Sequence, residues 1–131
     1  MAFSLNALKL RLLLRMMAIL LARATKRSAR LREMLAEDNF VFQLATEGGS
    51  GGCFVLSDGV LRYRAGLHTK PDFAQVWKTP GEAVRVMTSP DESDLMRAYN
   101  AGHCRMEGHF GVALWFNEAM KIALPKKGKK S

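Results

Sequence analysis

Apolar side chains along this chain first recur at helical spacing, then alternate like strands, then return to helical spacing before one last strand and one last helix. Residues 4–36 carry the first pattern. Their first half is apolar around much of its circumference, with Arg11 and Arg15 one turn apart on a narrow basic stripe, which predicts a single long helix. From Phe40 to Thr46, Phe40, Phe42 and Leu44 alternate with Val41, Gln43 and Ala45, as in a strand with one strongly apolar face. Residues 53–57 and 60–64 flank Asp58-Gly59, a pair suited to the positive φ of a two-residue hairpin turn. That register puts Leu61 and Tyr63 on one face and Val60, Arg62 and Arg64 on the other. Residues 73–77 predict a further strand, opened by Pro71 where a missing N–H does least harm.

Thr79-Pro80-Gly81-Glu82 has the order of a helix start: a capping hydroxyl, proline in the first turn and a capping-box acid. Val84, Val86 and Met87 give that helix its apolar side. Ser93 or Asp94 caps a second short helix, through Leu95, Met96, Ala98 and Tyr99, that ends at Gly102. Cys104 to Gly108 alternates as a strand. In the final helix, residues 112–124, Val112, Trp115, Ala119 and Ile122 are spaced to lie on a sheet, while Leu114, Phe116, Met120 and Leu124 leave apolar surface that one sheet face does not cover. The whole order, a helix, meandering strands, two short helices, a strand and a helix, predicts an α+β fold with the helices on one sheet face.

The length of 131 residues suits one domain, and 48% apolar with 24% charged residues excludes a disordered or fibrous chain. Eight methionines suit irregular apolar surfaces, whether a core or a ligand wall. The net charge of +8 is concentrated at the ends, in Lys9 to Arg32 and in Lys126 to Lys130, and such a field attracts anionic lipid, nucleic acid or an acidic protein. The apolar run after Arg15 is far short of the roughly 20 residues needed to cross a bilayer. The helix therefore packs on its own domain, meets a partner or a second copy, or lies in a membrane interface, where Arg11, Arg15, Lys26 and Arg27 would contact anionic headgroups. Cys53 and Cys104 have no paired spacing and read as reduced, buried thiols, which favours a cytoplasmic location, with peripheral membrane association if the basic ends dock on lipid.

Reactive chemistry is sparse in this pattern. Gly48 to Gly52 lies between strands, without the Gly-Lys-Ser/Thr ending of a phosphate loop, and predicts a hairpin loop. His103, Arg105, Glu107 and His109 would share a strand face, but Arg105 would repel a metal there, so a polar outer face is expected. His103 and Cys104 point to opposite faces, and no G-x-S-x-G is present. The aromatics are not interleaved with the basic runs, as nucleic-acid stacking requires. The sequence therefore predicts no enzyme, metal, cofactor or nucleic-acid partner.

Phe40-Val41-Phe42-Gln43, Asp58-Gly59, Arg62 to His68, Pro71-Asp72-Phe73 and, above all, Gly102-His103-Cys104-Arg105-Met106-Glu107-Gly108 before the apolar helix resemble the sterol carrier protein type 2 domain, of the small bacterial single-domain kind. The resemblance covers residues 35–124, behind a basic N-terminal helix at 1–34 and ahead of a basic flexible tail at 125–131. It departs from the family pattern at His109, where a small acidic residue is usual, and in the basic N-terminal helix. It implies a five-stranded, mainly antiparallel sheet covered by helices, with an apolar tunnel between them for a fatty acid, acyl-CoA, sterol-like or isoprenoid lipid. Phe42, Leu44, Phe54, Leu56, Leu61, Trp77, Met87, Met106, Trp115, Phe116 and Met120 are the expected lipid contacts. The alternative role is an accessory or scaffold subunit that presents lipid to a lipid-modifying enzyme complex.

Overall fold

The computed structural model describes residues 5–68, 70–91 and 93–124. The chain runs α1 (Leu5–Arg27), α2 (Ala29–Glu37), β1 (Phe40–Thr46), β2 (Gly51–Ser57), β3 (Val60–Ala65), β4 (Phe73–Trp77), α3 (Pro80–Met87), α4 (Ser93–Asn100), β5 (Cys104–Gly108) and α5 (Phe110–Ala123). The expected basic tail at 125–131 lies outside the described residues.

The strands form one sheet in the order β3-β2-β1-β4-β5. The first three strands meander antiparallel, as their turns predict. β4 does not continue the meander: it crosses to the far side of β1 and pairs with it in parallel, Phe42 beside Phe73 and Thr46 beside Trp77. β5 then pairs antiparallel with β4. Across this register one face carries Phe40, Phe42, Leu44, Phe54, Leu56, Leu61, Tyr63, Phe73, Trp77 and Met106. It is the face that meets the helices, in a core shared with Leu10, Leu14, Leu21, Val112 and Phe116.

Residues 4–36 do not form one helix. Ser28 leaves helical geometry at φ −120° and ψ 111°, and its hydroxyl accepts the Leu31 N–H at 3.1 Å, so it caps α2. Arg32 then donates to the carbonyls of Thr25 at 2.8 Å and Lys26 at 3.3 Å, satisfying acceptors that the end of α1 leaves open. α1 itself lies on the domain, with Leu10 and Leu14 fully buried, Leu21 nearly so, and Ala24 fully buried.

The α3 start follows its sequence, with Thr79 Oγ1 accepting the Glu82 N–H at 3.1 Å. The Glu82 carboxylate turns to Arg85 at 2.8 Å instead of closing a capping box, and that bond lowers its pKa. At α4 it is Asp91, not Ser93 or Asp94, that accepts a backbone N–H, from Ser93 at 2.9 Å. α5 is rotated from the expected setting: it buries Val112, Phe116, Ala119 and Ala123, leaves Trp115 and Ile122 half-buried, and turns Leu114 out at 70% exposure. Gly51 and Gly52 belong to β2 rather than to the loop before it; a Cβ on Gly52 would sit 2.6 Å from Tyr63 Cε1, so glycine admits that ring.

Candidate functional site

The helix-facing side of the sheet gathers its aromatic rings into one run. Phe42 stands 5.7 Å from Phe73, 6.3 Å from Phe54 and 4.5 Å from Phe116, and Phe54 lies 4.9 Å from Phe116 and 5.5 Å from Tyr63. These separations favour offset or tilted ring contacts, and each ring is fixed by a strand or by α5. Beyond Tyr63 the Arg15 guanidinium sits 6.0 Å above the ring. Burial raises the Tyr63 pKa, while Arg15 and Arg11 pull it down.

Among the expected lipid contacts, Phe42, Leu44, Phe54, Leu56, Trp77 and Phe116 are buried, and Leu61, Met87, Met106, Trp115 and Met120 are half-buried around them. The seven from strands all have the same parity and face the helices. The rings under α5 touch one another. Two clefts open at the margin of the helical layer. One, of about 220 Å³, is lined by Leu21, Ala22, Thr25, Leu31, Leu35, Gly59, Val60 and Leu61. The other, of about 410 Å³, is lined by Asp38, Asn39, Phe40, Asp72, His109, Gly111, Val112 and Trp115. Of the expected contacts, Leu61 reaches the first and Trp115 the second.

The four basic residues expected at a membrane divide. Arg11 and Lys26 are exposed. Arg15 caps the end of the aromatic run, and Arg27 Nη2 donates to the carbonyls of Ile122 at 3.4 Å and Ala123 at 3.3 Å, holding the end of α5. On the outward side of α1, Leu5, Leu12, Met16 and Ile19 are 51–61% exposed. These four were not among the expected contacts, although their spacing along one helix face was available in the sequence. The same holds for Leu10, Leu14 and Leu21, which supply the core's cover from the inward side.

A junction of Asp72 and Gly108 sets the sheet against α5. The Asp72 side chain accepts the Val41 N–H at 2.7 Å, its own N–H donates to Val41 O at 2.8 Å, and its carbonyl accepts the His109 N–H at 2.9 Å. Gly108 sits at φ 110°, where a Cβ would collide with the Asp72 carbonyl. The Pro-Asp and Glu-Gly pairs thus meet in space, joining the starts of β1, β4 and α5. His109 precedes α5 without a side-chain capping bond.

No group of three or more His, Cys, Asp or Glu side chains able to hold a metal occurs among the described residues. Arg105 pairs with Glu107 at 2.7 Å and with Glu47 at 3.4 Å on the outer face of β5, the polar surface its alternation predicts. Cys53 and Cys104 are free and buried, and burial pushes the Cys104 thiol up to about 11. No described helix is long and apolar enough to cross a membrane.

The arrangement is a mixed five-stranded sheet with an aromatic face under helices. No family model matches the sequence, and neither does any curated protein. Among solved structures the chain is similar to the UbiJ-SCP2 ubiquinone synthesis protein, with a TM-score of 0.61 and 17% identity over 87% of this chain and 97% of that one. It is similar to sterol carrier protein 2 from Yarrowia lipolytica in its apo form, with a TM-score of 0.62 and 12% identity over 96% and 100% of the two chains. The sterol carrier protein domain 2 of Helicoverpa armigera gives a TM-score of 0.55 and 17% identity over 83% and 85%. The chain therefore has the sterol carrier protein 2 fold.

Proposed function

We propose that the protein is a non-enzymatic lipid carrier that takes an apolar lipid between its sheet and its helical layer and exchanges it at anionic membrane surfaces. The observation behind this is the aromatic sheet face, Phe42, Phe54, Phe73 and Trp77, lying under two helices in a fold shared with sterol carrier proteins. Apolar burial gives about 25 cal/mol per Å² without requiring placed polar groups, so an aromatic sheet face can hold a lipid with no fixed polar partner. With the interior closed by ring contacts, a guest enters as α1 or α5 shifts.

The membrane part rests on α1. Its sequence contains no acid, its outward stripe of Leu5, Leu12, Met16 and Ile19 is exposed, and Lys9, Arg11, Arg15, Arg23 and Lys26 share the solvent-facing side. Such a helix lies in an interface with its apolar stripe among the acyl chains and its cations at headgroups. A second role, presenting lipid to a lipid-modifying enzyme complex, is favoured by the likeness to a ubiquinone synthesis protein over nearly that protein's full length.

Native mass spectrometry of gently purified protein tests the carrier role. A retained lipid, and a change in Trp77 or Trp115 fluorescence on adding long-chain lipid, are expected; an empty protein that no lipid perturbs would refute it. Replacing Met16 and Ile19 together by Glu should abolish binding to vesicles rich in phosphatidylglycerol while the fold survives, since both side chains face solvent. Unchanged vesicle binding would sink the docking role of α1. If deleting the outer stripe loses a co-purifying enzyme instead, the presenting role gains the helix.

A further inference from the structure

The sheet ends in two open edges, β3 and β5, and the two differ in what they offer to a second copy of the chain. Backbone bonds fix which groups are open. On β5, the His103 carbonyl accepts the Lys78 N–H at 2.9 Å and the His109 N–H donates to the Asp72 carbonyl at 2.9 Å. In the β4–β5 register, His103, Arg105, Glu107 and His109 therefore turn their N–H and C=O groups toward β4. Cys104, Met106 and Gly108 turn theirs outward, and among the described residues no loop takes them up. On β3, the Gly66 N–H donates to the Gly51 carbonyl at 3.1 Å, so Val60, Arg62 and Arg64 bond to β2 while Leu61, Tyr63 and Ala65 face outward. An open row of this kind pairs with another strand unless charge or shape prevents it.

Side chains decide between the edges. When an identical strand is added antiparallel about a two-fold axis, outward positions of one copy bond to those of the other, and the residues between them stand opposite one another with Cα atoms about 4.5 Å apart. On β3 the residues between are Arg62 and Arg64, both exposed. The registers that pair most of this strand are centred on Arg62, Tyr63 or Arg64, and each sets arginine against arginine, so like charge guards the edge. On β5 the residues between are Arg105 and Glu107, 56% and 57% exposed. Centring on Arg105 opposes two arginines, and centring on Glu107 opposes two glutamates. Centring on Met106 sets Arg105 of each copy against Glu107 of the other, with Cys104 and Gly108 in bonded pairs. One register is attractive and its two neighbours are repulsive, which pins the pairing.

We propose that the protein self-associates as a two-fold dimer through the edge of β5, with Arg105 of each copy facing Glu107 of the other and the two copies of Met106 meeting at the axis. Within one copy Arg105 already pairs with Glu107 at 2.7 Å and Glu47 at 3.4 Å, but a guanidinium has five N–H donors, so donors remain for the second copy's Glu107. Strands so joined keep their faces, which makes one continuous sheet with both helical layers on the same side. The pair is weak: a strand of five residues buries less than the about 1,200 Å² of a stable interface, and the +8 charge on each copy opposes approach. The interface stands without the lipid-carrier reading. On that reading, the dimer presents two α1 stripes to one membrane surface, and binding of the first raises the effective concentration of the second.

Sedimentation velocity of the full chain, from micromolar concentration to about 1 mM in about 0.15 M salt, tests this. The wild type should pass from monomer to dimer across that range. Glu107→Arg and Arg105→Glu each turn both cross-copy pairs into like charges, and each should weaken self-association at least about tenfold. Both positions are exposed, so thermal melts should show that each variant folds. An equimolar mixture of the two variants sets Arg against Glu again and should dimerise about as well as the wild type, a rescue that damage to the fold would not give. A wild type that stays monomeric throughout, a dimer that survives either charge reversal, or a mixture that does not associate would overturn the proposal.

Discussion

Replacing Phe116 by Ala is the most direct probe of the interior, because the same ring closes the core and stands where a guest would lie. Phe116 is 5% exposed, and its ring centre is 4.5 Å from Phe42 and 4.9 Å from Phe54, both held on neighbouring strands of the sheet. The sheet cannot collapse into the vacated space, so the loss should fall well within the range for buried Phe→Ala, about 4 kcal/mol. With a urea slope of about 1.5 kcal/mol per M, the unfolding midpoint should drop by roughly 2–3 M, in a domain whose total stability is on the order of 5–15 kcal/mol. If the guest site lies under α5, lipid meets a ready cavity in the variant but packed rings in the wild type. Oleate, at one concentration below micelle formation, should then stabilise the variant by at least about 1.4 kcal/mol more than it does the wild type, which is tenfold in affinity. Urea melts of both proteins with and without oleate measure each quantity. A stability loss below about 1 kcal/mol would refute the packing, and equal stabilisation of both proteins by oleate would refute an interior guest site.

Gly108→Ala should destabilise by about 3 kcal/mol or more in urea, because strain at φ 110° adds to a collision with the Asp72 carbonyl; Gly102→Ala, at φ 84° with open space around it, should cost only about 1 kcal/mol. A similar cost at both positions would mean that the junction is not tight. Arg27→Ala should cost about 1 kcal/mol and speed amide exchange in the last turn of α5, since it frees the Ile122 and Ala123 carbonyls. Unchanged exchange there would show that the contact is idle. Cys104, pushed up to about 11 by burial, should hold about one part in a thousand as thiolate at pH 8, so alkylation should wait for unfolding. Its folded pKa lies above the ordinary thiol value, so the folded state holds the extra proton and this contribution to stability is lost as pH rises from about 9 through 11. Fast labelling of the native protein at pH 8 would contradict the burial.

Local chemistry made most of the elements legible. Alternation marked the strands, Asp58-Gly59 marked its hairpin, and Thr79-Pro80 marked the start of α3, because each depends on residues within a few positions of one another. Strand parity grouped Phe42, Leu44, Phe54 and Leu56, but only the register shows that the helices cover their face. The parallel pairing of β4 with β1 was not legible, since it joins residues some 30 positions apart through a connection without a pattern of its own. The setting of α5 failed for a different reason: Trp115 and Phe116 are adjacent and both apolar, so either could lead the buried stripe, and only the rings of Phe42 and Phe54 select Phe116. Ser28 was hidden by continuity, because good helix formers stand on both sides of it. Cavities depend on how side chains from distant segments meet, and no spacing in one segment reports them.

The oil that residues 35–124 expose is covered in this structure by the chain itself, through Leu10, Leu14 and Leu21 of α1. Burying each of these leucines contributes about 2 kcal/mol, roughly 6 kcal/mol together, and at about 0.8 kcal/mol per methylene a guest must bury some eight methylenes to match them. A long acyl or isoprenoid chain exceeds that number and a short one does not. On the proposed function α1 and the guest compete for one sheet face, and in water the helix wins unless the guest is long. At a bilayer the balance changes, because a displaced α1 can turn the face that carries Leu10, Leu14 and Leu21 into the acyl chains, and loses little by leaving the sheet. On the proposed function, the same helix keeps the empty protein closed in solution and lets it open where lipid is available.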